Sequence, residues 1–375
     1  MINIYLTTNC NLRCEYCYVN HSDEINFVTD EILDKFLDIM DAINYFNKKK
    51  KIMILGGEPF LYPERIFAIK NKITERFGKH DFFVNSNLTL YNKEIFEDPE
   101  IIVPVSIDGT KESHDLFRKT KNKDNTYEIS WNNLVKLSLF KKEIPITYTF
   151  DPSHLVKNFV EFTKNILSIN EKTLFEIDIR PIIGTINQEN CKELEIECLR
   201  LADYFLEEYN LGNIIPITMI SQAVGNKNNQ LKSIKASTCS LGDENFTLFS
   251  GGDFWPCPHY YIVNKRKLGN LNVETCDFFV KKIKELRVFT NYLKYKFIKK
   301  SCDCSFEDTC NKVNCISEFE DNDFSCSQSR KLWLEILLRL GDHILEKIGP
   351  IEFEKLIIEI NKKWHGGKIG QSVSF

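Results

Sequence analysis

The sequence lacks any apolar run approaching the roughly 18 residues that a membrane span requires. Its opening, MINIYLTTNC, has neither the basic nor the apolar region of a secretory signal. It also lacks a basic excess: 49 Lys and Arg stand against 53 Asp and Glu, a net charge of −4. That balance works against a general nucleic-acid binder. There is no internal repeat and no low-complexity tract. With 43% hydrophobic residues, disorder is excluded as the main state. These absences predict a soluble, cytosolic chain of 375 residues, long enough for two domains. Against that background stand 13 cysteines. The cytosol keeps thiols reduced, so a disulfide scaffold is excluded. An odd count and tight clustering argue for metal instead.

The cysteines divide by spacing. Cys10, Cys14 and Cys17 sit together in CNLRCEYC; Cys239, Cys257, Cys302, Cys304, Cys310, Cys315 and Cys326 gather in the last third; Cys191, Cys198 and Cys276 are scattered. Close thiolates repel unless a cation lies among them, and iron–sulfur clusters and zinc are the usual occupants. Three ligands at the N-terminus are one short of four, which leaves a metal with an open position. Cys191 and Cys198 fall on one face of a predicted helix and read as core or surface residues.

The first two-thirds alternates short apolar strands with helical patterns. Strands are expected at 3–8, 51–55, 81–87, 101–109, 144–150 and 174–182. Helices are expected from about Thr29, from Pro63 and Glu64, near 126–141, near 154–168 and over 188–209. Six strand–helix units imply a parallel sheet with right-handed crossovers, either doubly wound or a partial barrel. In both, ligands bind at the carboxyl ends of the strands. The unusual residues lie there: the three cysteines after strand one, Gly56, Gly57, Glu58 and Pro59 after strand two, Asn85, Ser86 and Asn87 after strand three, Ser106 and Asp108 after strand four, and Arg180 after strand six. Residues 211–238 read as an irregular bridge, 239–330 as a cysteine-dense unit with little periodicity, and 332–340 and 351–360 as amphipathic helices before a mobile tail.

The spacing C-x3-C-x2-C after a first strand, with GGEP after the second, resembles the radical S-adenosylmethionine (radical SAM) superfamily. The resemblance implies an α/β fold, a partial (β/α)6 TIM-type barrel over residues 1–210. It implies that Cys10, Cys14 and Cys17 hold three irons of a [4Fe–4S] cluster, with S-adenosylmethionine on the fourth. One electron then cleaves the sulfonium to a 5′-deoxyadenosyl radical that abstracts a substrate hydrogen. Gly56, Gly57, Glu58 and Pro59 are expected to meet the cofactor's ammonium, with the Glu58 carboxylate accepting from it. Tyr16 is expected against the adenine, and Ser106, Asp108 and Arg180 against ribose and carboxylate. Salt-bridge or turn roles for Arg180 and Ser106 stay open, and His114 and Asp115 read as fold-stabilising. SIDG at 106–109 with His114, Asp115 and Arg118 resembles the peptide-modifying branch. A zinc knuckle has His21 as its nearest fourth ligand.

The C-terminal cysteines resemble the SPASM domain (239–330), which holds two auxiliary [4Fe–4S] clusters, for three clusters in all. The second half departs from the family pattern, with one residue between Cys302 and Cys304 and four before Cys315. The resemblance implies Cys302, Cys304, Cys310 and Cys326 on the outer cluster and Cys239, Cys257 and Cys315 on the inner. The inner cluster is then either open to a substrate thiolate or completed by Cys276, an Asp or Glu, or the backbone.

The implied function is modification of a ribosomally made precursor peptide, with a Cys thioether or another side-chain crosslink first. Formylglycine formation of the anaerobic sulfatase-maturating type and epimerisation are the alternatives. A non-catalytic iron–sulfur electron carrier and a zinc-stapled binding module are the readings from other classes. The expected partners are the peptide and an external donor of flavodoxin or ferredoxin type. Because the chain opens on strand one, the winged leader-binding domain is expected to be absent, which implies a separate leader-binding protein or recognition through the barrel and C-terminal helices. No nucleic acid and no membrane is expected, and no general base is identified.

Overall fold

The computed structural model describes residues 1–21, 26–154, 158–182, 184–231, 244–262, 264, 266–298 and 328–365. Cys239, Cys302, Cys304, Cys310, Cys315 and Cys326 lie outside the described residues, as do most of the bridge beyond 231 and the tail expected to be mobile.

The core is a parallel sheet. Strand β1 (Ile2–Thr7) is buried at every position, the pattern of a central strand covered on both faces. It pairs in parallel with β2 (Lys51–Gly56), β2 with β3 (Asp81–Val84), and β3 with β4 (Ile101–Ile102). Helix α1 (Asp30–Ala42) crosses between β1 and β2; its N-cap Thr29 accepts from the Ile32 amide, and Ile32, Leu33, Phe36, Leu37 and Met40 form its buried face. Helix α2 (Pro63–Phe77) starts on Pro63, whose fixed φ suits a first turn, and ends at Gly78 in the left-handed region.

The expected strand over 101–109 is two strands. Pro104 supplies no amide hydrogen, so the ladder breaks and the chain changes neighbour. After the short helix α3 (Lys93–Glu97) and β4, strand β5 (Val105–Ser106) bridges to Ser86. The Ser86 amide donates to the Pro104 carbonyl at 3.0 Å, and the Ser106 amide donates back to Ser86 at 3.1 Å. That exchange carries the parallel order from β3 into a second sheet of β5, β6 (Glu143–Phe150) and β7 (Leu174–Pro181). Both long strands alternate buried and half-buried positions. The attraction between Glu176 of β7 and Lys51 of β2 places the half-buried face toward the barrel interior. Helices α4 (Lys111–Phe117), α5 (Tyr127–Ser138), α6 (Phe159–Leu167) and α7 (Gln188–Asn210) cover this half.

Two regions depart from the sequence-based expectation. Within 211–238, residues 215–217 run beside β7, with Ile177 donating to the Pro216 carbonyl at 2.7 Å, and helix α8 (Thr218–Leu231) follows. Its buried Met219, Ile220, Ala223 and Val224 form a narrow apolar stripe that the surrounding Asn and Lys obscure. In the cysteine-dense region, β8 (Phe246–Phe249) joins the main sheet in parallel beside β1, followed by the antiparallel β9 (Asp253–Trp255) and β10 (Gly269–Asn270). Helix α9 (Pro258–Ile262) lies between them, and the 23-residue α10 (Cys276–Ile298) follows. Its buried Phe279, Ile283, Leu286 and Thr290 recur at helical spacing.

The last element, α11 (Gln328–His365), contains both expected C-terminal helices, broken at Gly349–Pro350 where φ is +76°. It packs on α7 through Arg339–Glu195 and His343–Asp203, both 2.7 Å, and through Tyr209, which donates to Glu352 at 2.8 Å, and on α8 through the Lys227–Asp342 pair. Gly341 marks the closest approach. A Cβ there would lie 2.7 Å from the Ala223 carbonyl oxygen and 2.8 Å from the Lys227 Cβ. Gly341→Ala gains about 1 kcal/mol of helix propensity but overpacks the contact, which costs about 1–3 kcal/mol. The expected net result is a lower urea midpoint with an unchanged slope.

Candidate functional site

The chain after β1 is held in shape by its own backbone. The Arg13 amide donates to the Lys119 carbonyl at 2.8 Å and the Glu15 amide to the Phe117 carbonyl at 3.2 Å, while Leu12 bridges Thr120. The Cys17 amide donates to the Cys14 carbonyl at 3.1 Å, and the Arg13 guanidinium donates to the Cys10 and Leu12 carbonyls at 2.8 and 2.7 Å. This loop carries Cys10, which is buried, and Cys14 and Cys17, which are half-buried; none is in a disulfide. Burial raises all three thiols, Cys10 to about 12. A group of thiols that resists ionisation inside the protein requires a cation to become thiolates.

The donor set fits an iron–sulfur cluster. The Leu12 amide lies 3.4 Å and the Asn87 Nδ2 3.9 Å from the Cys10 sulfur, and hydrogen bonds to sulfur are a usual means of tuning such a site. Among the described residues, no three His, Cys, Asp or Glu side chains converge as ligands of one metal ion. Thiolates that each bind a different iron need no such shared point.

The GGEP turn presses on this loop. The Gly57 amide donates to Thr7 at 2.8 Å and the Glu58 amide to Asn9 at 2.9 Å. A Cβ on Gly57 would lie 2.0 Å from the Asn9 oxygen and 3.0 Å from the Cys10 Cβ; one on Gly56, whose φ is +140°, would lie 2.3 Å from the Thr7 oxygen. Only glycine permits this approach. The Glu58 carboxylate departs from its expected direction. It turns into the fold and accepts from the Phe60 amide (3.0 Å), the Ser86 hydroxyl (2.9 Å) and the Asn87 amide (2.7 Å). These contacts tie the ends of β2 and β3 together and leave the backbone of 56–58, not this carboxylate, facing the loop. Pro59 opens the 3-10 turn that follows.

Tyr16 and Asp108 are brought together. The Tyr16 hydroxyl bonds the Asp108 carboxylate and accepts from Arg118 Nη1 at 2.6 Å; Arg118 stands 3.6 Å from the same carboxylate. The second Asp108 oxygen accepts from the Thr149 amide at 3.0 Å. Asp108 is therefore committed to protein groups. His114, which reads as fold-stabilising, is buried and accepts from the Asp108 amide at 3.2 Å, and Asp115 accepts from the Thr126 and Tyr127 amides at 3.0 Å each. Beside this network lies a small cleft, of about 10 Å³, lined by Asp108, Phe117, Tyr148, Phe150, Asp151 and His154.

Arg180 stands near the end of β7, paired with Asp178 two residues back. Burial lowers its pKa to about 10, while Tyr18 of the cysteine loop favours its charge. Tyr18 bonds Tyr5 at 2.7 Å, and Tyr5 stacks on Phe249 at 4.2 Å, so β8 also reaches the loop. Ser106 is half-buried beside Thr147. Cys257 is half-buried against the core, Cys276 is exposed at the start of α10, and Cys198 is buried with its thiol 3.6 Å from the Met219 sulfur. The site residue that sequence reasoning missed is Asp178, together with the part Arg118 plays; Asn87 stands just beyond β3, where the sequence placed it among the candidates. Asp178 had a signal, its i, i+2 placement on one strand face with Arg180.

Comparison with known proteins follows this geometry. Residues 4–152 match the radical SAM superfamily. A cysteine-type anaerobic sulfatase-maturating enzyme of Clostridium novyi (strain NT) is 26% identical over 294 residues, covering 72% of this chain and 75% of that protein. The serine-type enzyme of Bacteroides thetaiotaomicron is 22% identical over 347 residues, covering 80% and 79%. Among solved structures, native anSMEcpe with bound AdoMet superposes with a TM-score of 0.68 at 19% identity, covering 96% of this chain and 99% of that one. Streptococcus suis SuiB bound to precursor peptide SuiA gives 0.56 at 16% identity, covering 83% and 69%. These structures share the fold.

Glu58 yields a test in the cluster-free protein. Burial raises its carboxyl from the ordinary 4.5 to about 7, so the folded state binds the proton more tightly than the unfolded state. The stability it contributes is present below about 4.5 and is lost as pH rises through 7, a change on the order of 3 kcal/mol. Glu58→Gln lacks this loss. The stability of the wild type minus that of the variant should fall as pH rises from 4.5 to 7 in urea melts. Glu176, also raised to about 7 by burial, cancels from that difference.

Proposed function

Since residues 4–152 form a radical SAM domain, we propose that this S-adenosylmethionine-dependent enzyme is a maturase that oxidises a Cys or Ser side chain of a peptide or protein to formylglycine. The observation that carries the reading is the extent of the similarity: it runs over 72% and 80% of the chain to cysteine- and serine-type sulfatase-maturating enzymes.

In this reading Cys10, Cys14 and Cys17 hold a [4Fe–4S] cluster, with one iron left for S-adenosylmethionine. Bound together, those two groups supply a primary carbon radical that removes a substrate hydrogen atom. The chain's part is placement. Gly56 and Gly57 let the backbone come close to the loop, and Glu58 holds that backbone from behind. The Tyr16 ring would pack against the adenine, with its hydroxyl anchored on Asp108 and Arg118. Arg180 and Ser106 are the remaining contacts for carboxylate and ribose, and Asp178 steers Arg180. Oxidation of a Cys or Ser side chain to an aldehyde releases two electrons. One would leave with the abstracted hydrogen, and the other would go to the auxiliary clusters that Cys239, Cys257, Cys302, Cys304, Cys310, Cys315 and Cys326 would hold; a Cys substrate would also exchange its sulfur, lost as hydrogen sulfide, for the oxygen of water. A flavodoxin- or ferredoxin-type protein exchanges electrons with the enzyme. The unit boundaries 1–210, 211–238, 239–330 and 331–375 belong to the same proposal, with β8 contributing to the barrel sheet from the third unit.

A second reading is thioether formation in a precursor peptide, with a separate leader-binding protein. It is favoured by the seven auxiliary cysteines where two fully ligated clusters take eight, which leaves an inner iron free for a substrate thiolate.

The test is anaerobic reconstitution with S-adenosylmethionine, reductant and peptides bearing one Cys or one Ser at a sulfatase maturation site. Formylglycine appears in mass spectra as an aldehyde trapped by hydroxylamine. A thioether appears as loss of two hydrogens and of the free thiol, with no trapping. Cys14→Ala should abolish 5′-deoxyadenosine formation; undiminished formation in that variant would overturn the assignment of the catalytic cluster.

A further inference from the structure

We infer that Arg118 and Asp108 form a buried charge pair that sets the reduction potential of the cluster on the cysteine loop, with Tyr16 as the grip that holds the pair against it. The inference rests on the cluster reading above and adds a positioning role for residues that the chemistry does not require.

The geometry is specific. Arg118 follows the last turn of α4 and is 7% exposed. Its guanidinium donates to the Tyr16 hydroxyl at 2.6 Å and stands 3.6 Å from Asp108, itself 1% exposed. Tyr16 lies between Cys14 and Cys17 in the chain, so any movement of the pair is transmitted to the loop. The backbone on either side of Arg118 is bound to the same loop: the Phe117 and Lys119 carbonyls accept from the Glu15 and Arg13 amides. The arginine is thus tied to the loop both by the backbone around it and by its guanidinium on Tyr16.

The electrostatics follow from this placement. Both charges meet at the Tyr16 hydroxyl, between Cys14 and Cys17 in the chain, and the backbone on either side of Arg118 is bonded to the same loop, so a cation and an anion stand together beside the cluster's ligands. The other cation of the loop, Arg13, points at the Cys10 and Leu12 carbonyls. Glu58 is held on the GGEP side by Phe60, Ser86 and Asn87, and Arg180 is paired with Asp178. In a site of low dielectric such charges are weakly screened. Reduction adds one negative charge to the cluster, so a nearby cation favours it and a nearby anion opposes it. Arg118 and Asp108 thus pull the potential in opposite directions. A salt bridge that only fixed the shape of the loop would produce no such opposition.

The test uses the anaerobically reconstituted full-length enzyme without S-adenosylmethionine, in an electron paramagnetic resonance redox titration. The signal followed is the one that Cys14→Ala removes, which separates this cluster from any auxiliary one. Arg118→Met should make reduction about tenfold less favourable, a fall of about 59 mV for one electron. Asp108→Asn should move the potential upward by a similar factor, and the double variant should lie closer to wild type than either single variant. Arg118→Lys keeps the charge and should stay near wild type even if it weakens the loop. Single variants that shift in the same direction or not at all, or a lysine variant that behaves like methionine, would overturn the inference while leaving the cluster in place. Failure of Cys14→Ala to remove any signal would overturn the cluster reading and the inference with it.

Discussion

The contact between the backbone after β1 and the backbone after β2 is the constraint on which the rest of the site depends. Thr7 and Asn9 accept from the amides of Gly57 and Glu58, and the glycines allow separations that no side chain would tolerate. This brings the start of the cysteine loop against the turn, so the loop cannot open without separating two adjacent strands of the sheet. Glu58 extends the constraint to β3 through Ser86 and Asn87, and Ser86 extends it to β5. A chain of short contacts thus links the cysteine loop to the seam where one sheet passes to the next.

The second organising feature is the concentration of buried charge around that loop. Isolated charges are costly away from water, and they persist when paired and hydrogen-bonded. Glu58 has three donors, and Asp108 has Tyr16, Arg118 and Thr149. Burial raises the three thiols, and in the proposed reading iron would stabilise their ionised form. A site of this kind is dry, as radical chemistry requires if water and bystander groups are to be kept from a reactive carbon centre. The aromatic side chains Tyr5, Tyr18, Phe249 and Tyr261 line the opposite side of the loop, so one flank is charged and the other apolar.

Much of the barrel is legible in the sequence, because short apolar runs separated by amphipathic helices carry their period within a few residues. Thr29, Pro63 and Gly78 mark helix ends through local chemistry. The parts that were hidden depend on partners distant in the chain. FTLF at 246–249 is too short to show a period, and its identity as a strand comes from pairing with β1. The apolar stripe of α8 is narrow because α11 covers it, with Gly341 set against Ala223. Phe279, Ile283 and Leu286 carry helical spacing in the sequence, but they lie within the cysteine-dense stretch 239–330, whose dominant pattern is that of a metal-held irregular fold.

The sequence by itself determined the catalytic class of ligand, since cysteine spacing and a Gly-Gly turn are local properties that need no partner to be recognised. It also determined that strand ends would carry the site, because parallel crossovers leave no other common face. Only the tertiary structure decided the direction of each side chain. Glu58 turns away from the loop because Phe60, Ser86 and Asn87 offer it donors, and Tyr16 and Asp108 are joined because Arg118 arrives from α4, roughly a hundred residues beyond the loop. Hydrogen bonds are set by distance in space, and distance in space follows from packing that no local pattern encodes.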